Sequence, residues 1–164
     1  MARQVKVITA AEAAALIKNG DTVTTSGFVA SAIPEALDRA VEERFLATGE
    51  PRDITYVYCG SQGNKDGRGA EHFAHEGLLK RYIAGHWATV PALQKMALEN
   101  KMEAYNVSQG ALCHLFRDIA AHRPGCFTKV GLGTFIDPRN GGGKVNDVTK
   151  EDIIELVNIK GQDY

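Results

Sequence analysis

The stretch Asp21-Thr-Val-Thr-Thr-Ser-Gly-Phe28 indicates the fold class of this chain. Its β-branched first part predicts a short strand over 21–26, which runs directly into a loop at Gly27-Phe28. A helix is predicted to begin at Pro34 and to end just before Gly49. Its apolar positions recur at helical spacing: Ile33, Leu37, Val41 and Phe45. Strand, loop and helix in this order form the repeating unit of an α/β fold.

The same order continues on both sides of that stretch. Upstream, Thr9 and Glu12 form a capping-box pattern that predicts a helix over about 10–19. Downstream, the predicted strands are 53–59, 102–107 and 127–132, and the predicted helices are 90–100 and 110–122. Parallel neighbours need crossover connections, so this alternation predicts an α/β fold with an open, mainly parallel sheet and helices on both faces.

The last residues, Glu151 to Tyr164, are ambiguous. Their apolar positions, Ile153, Ile154, Leu156, Val157 and Ile159, fit either a short helix or a strand. A terminal apolar run normally pairs with an element that follows it in sequence. We therefore expect residues 1–164 to be an incomplete amino-terminal domain whose missing part lies further along the protein.

The composition and charge of the chain exclude several classes of protein function. The chain has 164 residues, and 19 Lys+Arg against 20 Asp+Glu give a net charge of −1, so the basic excess typical of nucleic-acid binders is absent. No apolar stretch approaches the roughly 18 residues that a membrane span needs, and the start lacks the pattern of a signal peptide. These features predict a single cytoplasmic domain with no nucleic-acid or membrane partner.

Cysteine spacing argues against a redox motif. Cys59, Cys113 and Cys126 form neither a CxxC pair nor a zinc-ligand pattern. We expect each of them to be a small, buried apolar side chain, since free cysteine packs readily in protein cores.

Three glycine-rich loops are candidates for ligand binding. Gly27-Phe28, Gly60–Gly63 and Gly131–Gly133 each follow a predicted strand, and ligands of open parallel sheets bind beyond the carboxyl ends of the strands. Glycines there let a ligand or a second backbone approach closely. The alternative for each loop is an ordinary tight turn.

Nucleotide-binding signatures are missing. There is no GxGxxG, and Gly143-Lys144 lacks both the Ser/Thr that follows it and the earlier Gly of a Walker A sequence. The polar loop Asp137–Lys144 could present backbone N–H groups and two cations to an anion, or it could be a surface loop.

Two further motifs allow weaker hypotheses. Asn106-Val-Ser108-Gln109-Gly110 resembles a GxSxG nucleophile elbow with its first Gly replaced, which would make Ser108 the nucleophile of a serine hydrolase; the alternative is a helix-capping Ser. The pair His72 and His75, with Glu71 and Glu76 beside them, could bind a metal ion. It lacks the HExxH frame and a third ligand, so we expect no metal site.

The chain resembles the amino-terminal half of family I coenzyme A transferases, especially the fused acetate/propionate or acetoacetate type. The resemblance covers essentially the whole chain. The matching strings are Asn19–Phe28 with Pro34, Gly85–Trp87, Tyr105–Gly110, His114–Ala120 and Gly131–Lys144. Ser26 and Ala32 stand where the family pattern has glycine.

The resemblance implies transfer of CoA from a short-chain acyl-CoA to a free carboxylate through a glutamyl-CoA thioester. It implies coenzyme A as a substrate and no separate cofactor. The substrate-binding residues that it carries over are Gln109 and Gly110, with the Gly27-Phe28 loop as their neighbour. The chemistry is consistent, because carboxylate attack on a thioester needs donors for the developing oxyanion and loops that admit the pantetheine arm.

The family's catalytic Glu is not expected among these residues. It belongs to the second half of the family, in a Glu-Ser-Gly or Glu-Asn-Gly setting, and Glu99-Asn100 is followed here by Lys101. We therefore assign no catalytic residue to this chain and expect it to be inactive without that second half. We also expect a homo-oligomer, because an interrupted sheet leaves strand edges exposed. The alternatives are a non-catalytic acyl-CoA-binding or regulatory module and the hydrolase using Ser108.

Overall fold

The structure is a computed structural model that describes residues 5–164. Its centre is a four-stranded sheet in which neighbouring strands are parallel and follow the order β1-β2-β3-β4. The strands are β1 (Thr22–Val23), β2 (Ile54–Tyr58), β3 (Leu79–Ala84) and β4 (Glu103–Asn106). The prediction of an open parallel α/β sheet is confirmed.

Helices cover both faces of this sheet. The helices are α1 (Ala10–Ala14), α2 (Glu35–Thr48), α3 (Pro91–Leu98) and α4 (Gln109–Ala120). Side chains of the first three pack into one core with β2 and β3. Leu112 and Leu115 of α4 pack into a second core with Tyr105 and Val107. The alternation of side chains along the strands explains the two cores, because Tyr56 belongs to the first and Val57 to the second.

The local predictions for the first half hold, with shorter elements. The capping box is present, since the Glu12 carboxylate accepts from the Thr9 N–H at 2.8 Å and the Thr9 hydroxyl accepts from the Glu12 N–H at 3.2 Å. However, α1 ends at Ala14 instead of about residue 19, and β1 is two residues long. In α2, Gly49 follows the last residue with φ 74°, the left-handed geometry that ends many helices.

Sequence reasoning missed β3, an interior strand of the sheet. Lys80 and Arg81 interrupt its apolar pattern. In the structure the charge of Arg81 is neutralised: its guanidinium pairs with Glu103 of β4 at 2.5 Å and also with Glu151. A charge can therefore occupy this strand because a neighbouring strand neutralises it.

The predicted strand over 127–132 is wrong. No residue of that segment belongs to a strand. Residues 143–145 occupy the edge of β4 instead, since the Asn106 N–H donates to the Gly143 carbonyl at 2.8 Å and the Val145 N–H to the Ala104 carbonyl at 2.9 Å. With that edge satisfied, 127–132 has no ladder to join.

Short elements complete the fold. One-turn 3-10 helices span Gly69–Phe73 and Pro138–Asn140. The ambiguous final stretch is mostly irregular and ends in a hairpin of two-residue strands, β5 (Asn158–Ile159) and β6 (Gln162–Asp163). Within residues 5–164, none of the helices combines the length and apolar character required to cross a bilayer.

Candidate functional site

The loops that follow the four parallel strands meet at one edge of the sheet, which we call the carboxyl edge. It comprises residues 24–31, 59–63, 85–87 and 107–110. Of the three glycine-rich loops predicted to share this edge, those at Gly27-Phe28 and Gly60–Gly63 follow strands. The loop Gly131–Gly133 does not follow a strand, which corrects the third prediction.

Gln109 lies between two of these loops. It is the first residue of α4, and its side chain is exposed. A β-carbon built on Gly60 would lie 3.6 Å from the Gln109 carboxamide, and one on Gly85 would lie 2.8 Å from the Gln109 Cα. The two glycines therefore let α4 begin directly against the ends of β2 and β3. No described residue forms a hydrogen bond with the Gln109 amide, so it remains free to meet a ligand, and Gly110 beside it is also exposed.

The Gly27-Phe28 loop is a closed turn fastened to its neighbour. Phe28 and Ser31 exchange two backbone hydrogen bonds of 2.9 Å. The Val29 N–H donates to the Ser61 carbonyl at 3.0 Å, and the Gly63 N–H donates to the Val29 carbonyl at 2.9 Å. The structure thus joins the Gly27-Phe28 loop to the Gly60–Gly63 loop, whose first glycine lies beside Gln109.

A buried amide lies beneath that junction. Gln62 is completely buried, and its Oε1 accepts hydrogen bonds from the Thr25 hydroxyl at 2.5 Å and the Tyr56 hydroxyl at 2.7 Å. Its Nε2 donates to the Ser26 carbonyl. Sequence reasoning assigned no role to the Gln62 side chain, because two of its three partners, Ser26 and Thr25, are 36 and 37 positions away.

The loop that follows β2 is also anchored at its far end. His72 and His75, at and beyond the 3-10 helix Gly69–Phe73, contact Glu35 and Glu42 of α2; these four residues form the histidine–carboxylate cluster. The His72 ring nitrogens lie 2.6 Å from Glu42 and 2.9 Å from Glu35. The expected neighbours Glu71 and Glu76 are not the partners.

Electrostatics favour the protonated form of His72 in this cluster. Burial lowers the pKa of His72, but its hydrogen bonds with Glu35 and Glu42 outweigh burial, and the net shift is upward. Burial likewise opposes the downward shift in the pKa values of Glu35 and Glu42, which the contacts with the histidines produce. Within residues 5–164 no group of three or more metal-ligating side chains is arranged to hold a metal ion.

Asp38 is buried on α2 between Glu35 and Glu42. Only 1% of its surface is exposed, and neither carboxyl oxygen has a hydrogen-bond partner among the described residues. Burial raises its pKa to about 7. The side chain is therefore largely protonated in weakly acidic solution.

The loop Asp137–Lys144 does not offer free cations. Arg139 pairs with Asp137 at 2.7 Å and with Asp163 at 3.3 Å, and Lys144 pairs with Asp152. The Asp137 carboxylate also accepts the Gly133 N–H at 2.8 Å. The Asp137 carboxylate thus engages the Arg139 guanidinium and backbone N–H groups of this segment, which favours the surface-loop alternative over binding of an external anion.

Ser108 and the cysteines differ from their predicted roles. Ser108 precedes α4, but its hydroxyl caps no backbone N–H and forms no hydrogen bond with a histidine of residues 5–164. Cys113 is exposed, and Cys59 and Cys126 are half-buried, so the expectation of three buried thiols is wrong. A cavity of about 370 Å³ adjoins Ser108 between α4 and the chain beyond it.

The comparisons with known proteins agree with this architecture. The family described as "Coenzyme A transferase" matches residues 7–164. The chain is 40% identical over 159 residues to caffeate CoA-transferase of Acetobacterium woodii and 39% identical over 163 residues to acetate CoA-transferase YdiF of Escherichia coli. It spans about 30% of the length of each, and 97% and 98% of this chain are covered.

A solved structure supports the same relationship. The apoenzyme of the acyl-CoA transferase YdiF from Escherichia coli superimposes with a TM-score of 0.89 at 37% identity, over 98% of this chain and 31% of that one. A second structure of that protein, described as a thioester complex with CoA, gives a TM-score of 0.88. The family match, these relatives and the shared parallel sheet lead to one conclusion: this chain belongs to the coenzyme A transferase family.

Proposed function

We propose that this chain supplies the substrate-binding loops of an enzyme that moves CoA from a short-chain acyl-CoA to a free carboxylate. In this proposal the reaction passes through a glutamyl-CoA thioester, and the reacting Glu comes from a part of the enzyme outside these 164 residues. Coenzyme A is a substrate and no separate cofactor takes part. The partners are an acyl-CoA, a small carboxylic acid and the second CoA-transferase half, with the whole assembled as a homo-oligomer.

The observation that carries the proposal is the position of Gln109. Its exposed amide stands at the start of a helix, at the edge where the four strand-following loops meet, with Gly60 and Gly85 beside it. An amide can donate a hydrogen bond to the oxyanion that forms when a carboxylate attacks a thioester. The N-terminal end of α4 adds a positive partial charge at the same place.

The backbone beside Gln109 is open at Gly110. A β-carbon built there would meet only the Ser108 hydroxyl, at 4.0 Å, so a narrow pantetheine arm could approach the backbone. The exposed ring of Phe28, 59% accessible, offers an apolar surface on the neighbouring loop. These features bind and orient a substrate, while the nucleophile is supplied from elsewhere.

The experiment is a CoA-exchange assay on the longer protein that contains this chain. It should convert acetyl-CoA and a labelled free acid into the labelled acyl-CoA with ping-pong kinetics. After incubation with acyl-CoA alone, intact-mass spectrometry should show an added mass of CoA minus water, as expected for an enzyme-bound thioester. Residues 1–164 by themselves should show neither activity nor adduct.

The outcomes separate the alternatives. Binding of CoA without exchange or adduct, in the presence of the second half, would contradict the transferase and support a non-catalytic module. Labelling of Ser108 by a fluorophosphonate would support a hydrolase instead. The absence of a histidine hydrogen bond to the Ser108 hydroxyl in the described residues gives that last function no support.

A further inference from the structure

The turn at residues 26–31 has an unfavourable backbone. Val29 has φ 54° and Gly27 has φ 116°, and Ala32 just beyond the turn has φ 55°. A β-branched residue such as Val29 rarely adopts a positive φ, so the surrounding structure must hold this conformation. Such strained segments concentrate at ligand-binding sites.

Gln62 is the group that is best placed to hold it. Its Nε2 donates to the carbonyl of Ser26, the first residue of the turn. Since that carbonyl can only accept, the orientation of the amide is determined, and Oε1 is left to accept from Thr25 and Tyr56. One fully buried side chain therefore connects the end of β1, the interior of β2 and the start of the turn.

The backbone of Gln62 fixes the other side of the junction. Its carbonyl accepts the Ala70 N–H at 2.8 Å, which ties it to the 3-10 helix Gly69–Phe73. Its two neighbours, Ser61 and Gly63, make the hydrogen bonds with Val29. The turn is therefore hydrogen-bonded to residues 61–63, and this segment is itself hydrogen-bonded to the 3-10 helix through the Gln62 carbonyl.

We propose that Gln62 is a positioning residue: it holds the 26–31 turn in its strained conformation, so that Gly27 and Phe28 are presented to the acyl-CoA at the carboxyl edge. The ligand in this statement rests on the proposed function, whereas the holding of the turn does not. Gln62 itself is buried and touches no substrate.

The test uses the longer protein with Gln62→Met, which keeps the length of the side chain and removes all three of its hydrogen bonds. Amide hydrogen exchange at Phe28, Val29, Ser31 and Gly63 should accelerate by about tenfold, the effect expected for a lost buried hydrogen-bond network. The KM for acyl-CoA should rise by about tenfold, with a smaller change in kcat and none in the KM for the acceptor acid.

The matched control is Thr149→Val. Thr149 is also buried and hydrogen-bonded, to the backbone of Ala104 on β4 at 2.7 Å, but it has no contact with the turn. It should lower the melting temperature without changing the KM for acyl-CoA or the exchange of the turn amides. An equal rise in KM in both variants would show a general loss of stability and overturn the positioning role.

A milder variant keeps the proposal testable if Gln62→Met does not fold. Tyr56→Phe removes one donor to the Gln62 Oε1 and keeps the ring in the core. It should accelerate exchange of the turn amides by a smaller factor. Wild-type exchange rates in the turn for either folded variant overturn the proposal. If the wild-type protein transfers no CoA, the proposed function fails, and the exchange measurement still decides whether Gln62 holds the turn.

Discussion

Gly85 and Gln109 are in such close contact that a β-carbon on Gly85 would lie 2.8 Å from the Gln109 Cα and 2.4 Å from the Cys59 carbonyl oxygen. Both obstacles are backbone-attached atoms that cannot move aside by a rotamer change. Gly85 therefore sets the distance at which α4 begins from the ends of β2 and β3.

We predict that Gly85→Ala destabilises the protein by about 2 kcal/mol or more, because the new methyl group must displace backbone. Chemical denaturation followed by far-UV circular dichroism measures this change. The matched control is Gly125→Ala, since a β-carbon there would meet nothing within 4 Å. Its free energy of unfolding should stay within about 0.5 kcal/mol of wild type. Equal stability of the two variants would contradict the close contact.

Replacing Gln109 by Ala should lower turnover about tenfold or more in the complete enzyme, because the amide that we propose to face the reacting thioester is lost. The melting temperature should hardly change, as the side chain is exposed and forms no hydrogen bond with residues 5–164. Gln94→Ala is a control for the loss of an amide near this edge, because the half-buried Gln94 donates its amide N–H to the Trp87 carbonyl at 2.6 Å. Unchanged turnover in Gln109→Ala would reject its role.

Asp38 should make stability fall as the pH rises. Its pKa is raised by burial from 3.8 to about 7. Below 3.8 both the folded and unfolded states are protonated; between 3.8 and about 7 the unfolded state ionises first, which favours unfolding. Asp38→Asn, which cannot ionise, should therefore be more stable than wild type by about 2–4 kcal/mol near pH 8 and nearly equal to it near pH 4.

Thermal denaturation across this pH range checks the prediction for Asp38. The exposed Asp66 provides the comparison, and Asp66→Asn should follow the wild-type pH profile. A constant difference between Asp38→Asn and wild type at all pH values would show that Asp38 is not held protonated by burial.

His72 should stabilise the folded protein in weakly acidic solution and lose this contribution as the pH rises. Its folded-state pKa is raised above 6.5, so its contribution is complete below 6.5 and is lost as the pH rises through the folded value. The pKa values of Glu35 and Glu42 are lowered, so their contribution is lost as the pH falls below 4.5. His72→Gln should cost about 1–3 kcal/mol near pH 6 and less near pH 9.

Urea denaturation at the two pH values measures the loss for His72. His75→Gln is the matched control, because His75 makes one carboxylate contact and its side chain is 30% exposed, compared with 10% for His72. It should cost less than His72→Gln. A loss for His72→Gln that grows toward pH 9 would contradict an imidazolium between two carboxylates.

Sequence alone predicted the elements whose signals are local. The capping box of Thr9 and Glu12, the strand before Cys59 and the helix that follows Pro34 depend on residues within a few positions of one another. The α/β class follows from their alternation. Gln109 and Gly110 were proposed from the resemblance of Tyr105–Gly110 to the family, because that string is contiguous in the chain.

Other features depend on residues that are distant in sequence. Arg81 within β3 is tolerated because Glu103 lies beside it on the next strand. Residues 127–132 form no strand, since residues 143–145 already occupy the edge of β4. Neither outcome is visible in the apolar pattern. A strand becomes part of a sheet through the hydrogen bonds of its neighbours, which only the folded chain specifies.

The candidate site likewise contains some features with local sequence signals and others that depend on residues distant in sequence. Its glycines can be read from the chain. The hydrogen bonds of Gln62 with Thr25 and Ser26, and those of His72 with Glu35 and Glu42, instead join residues 30 to 37 positions apart. The sequence by itself determined the fold class, because that follows from local pattern, and its resemblance to a known family pointed to Gln109 at the edge of the sheet. The tertiary structure decided which groups meet and which are buried, because hydrogen bonding and desolvation act between groups that are close in space.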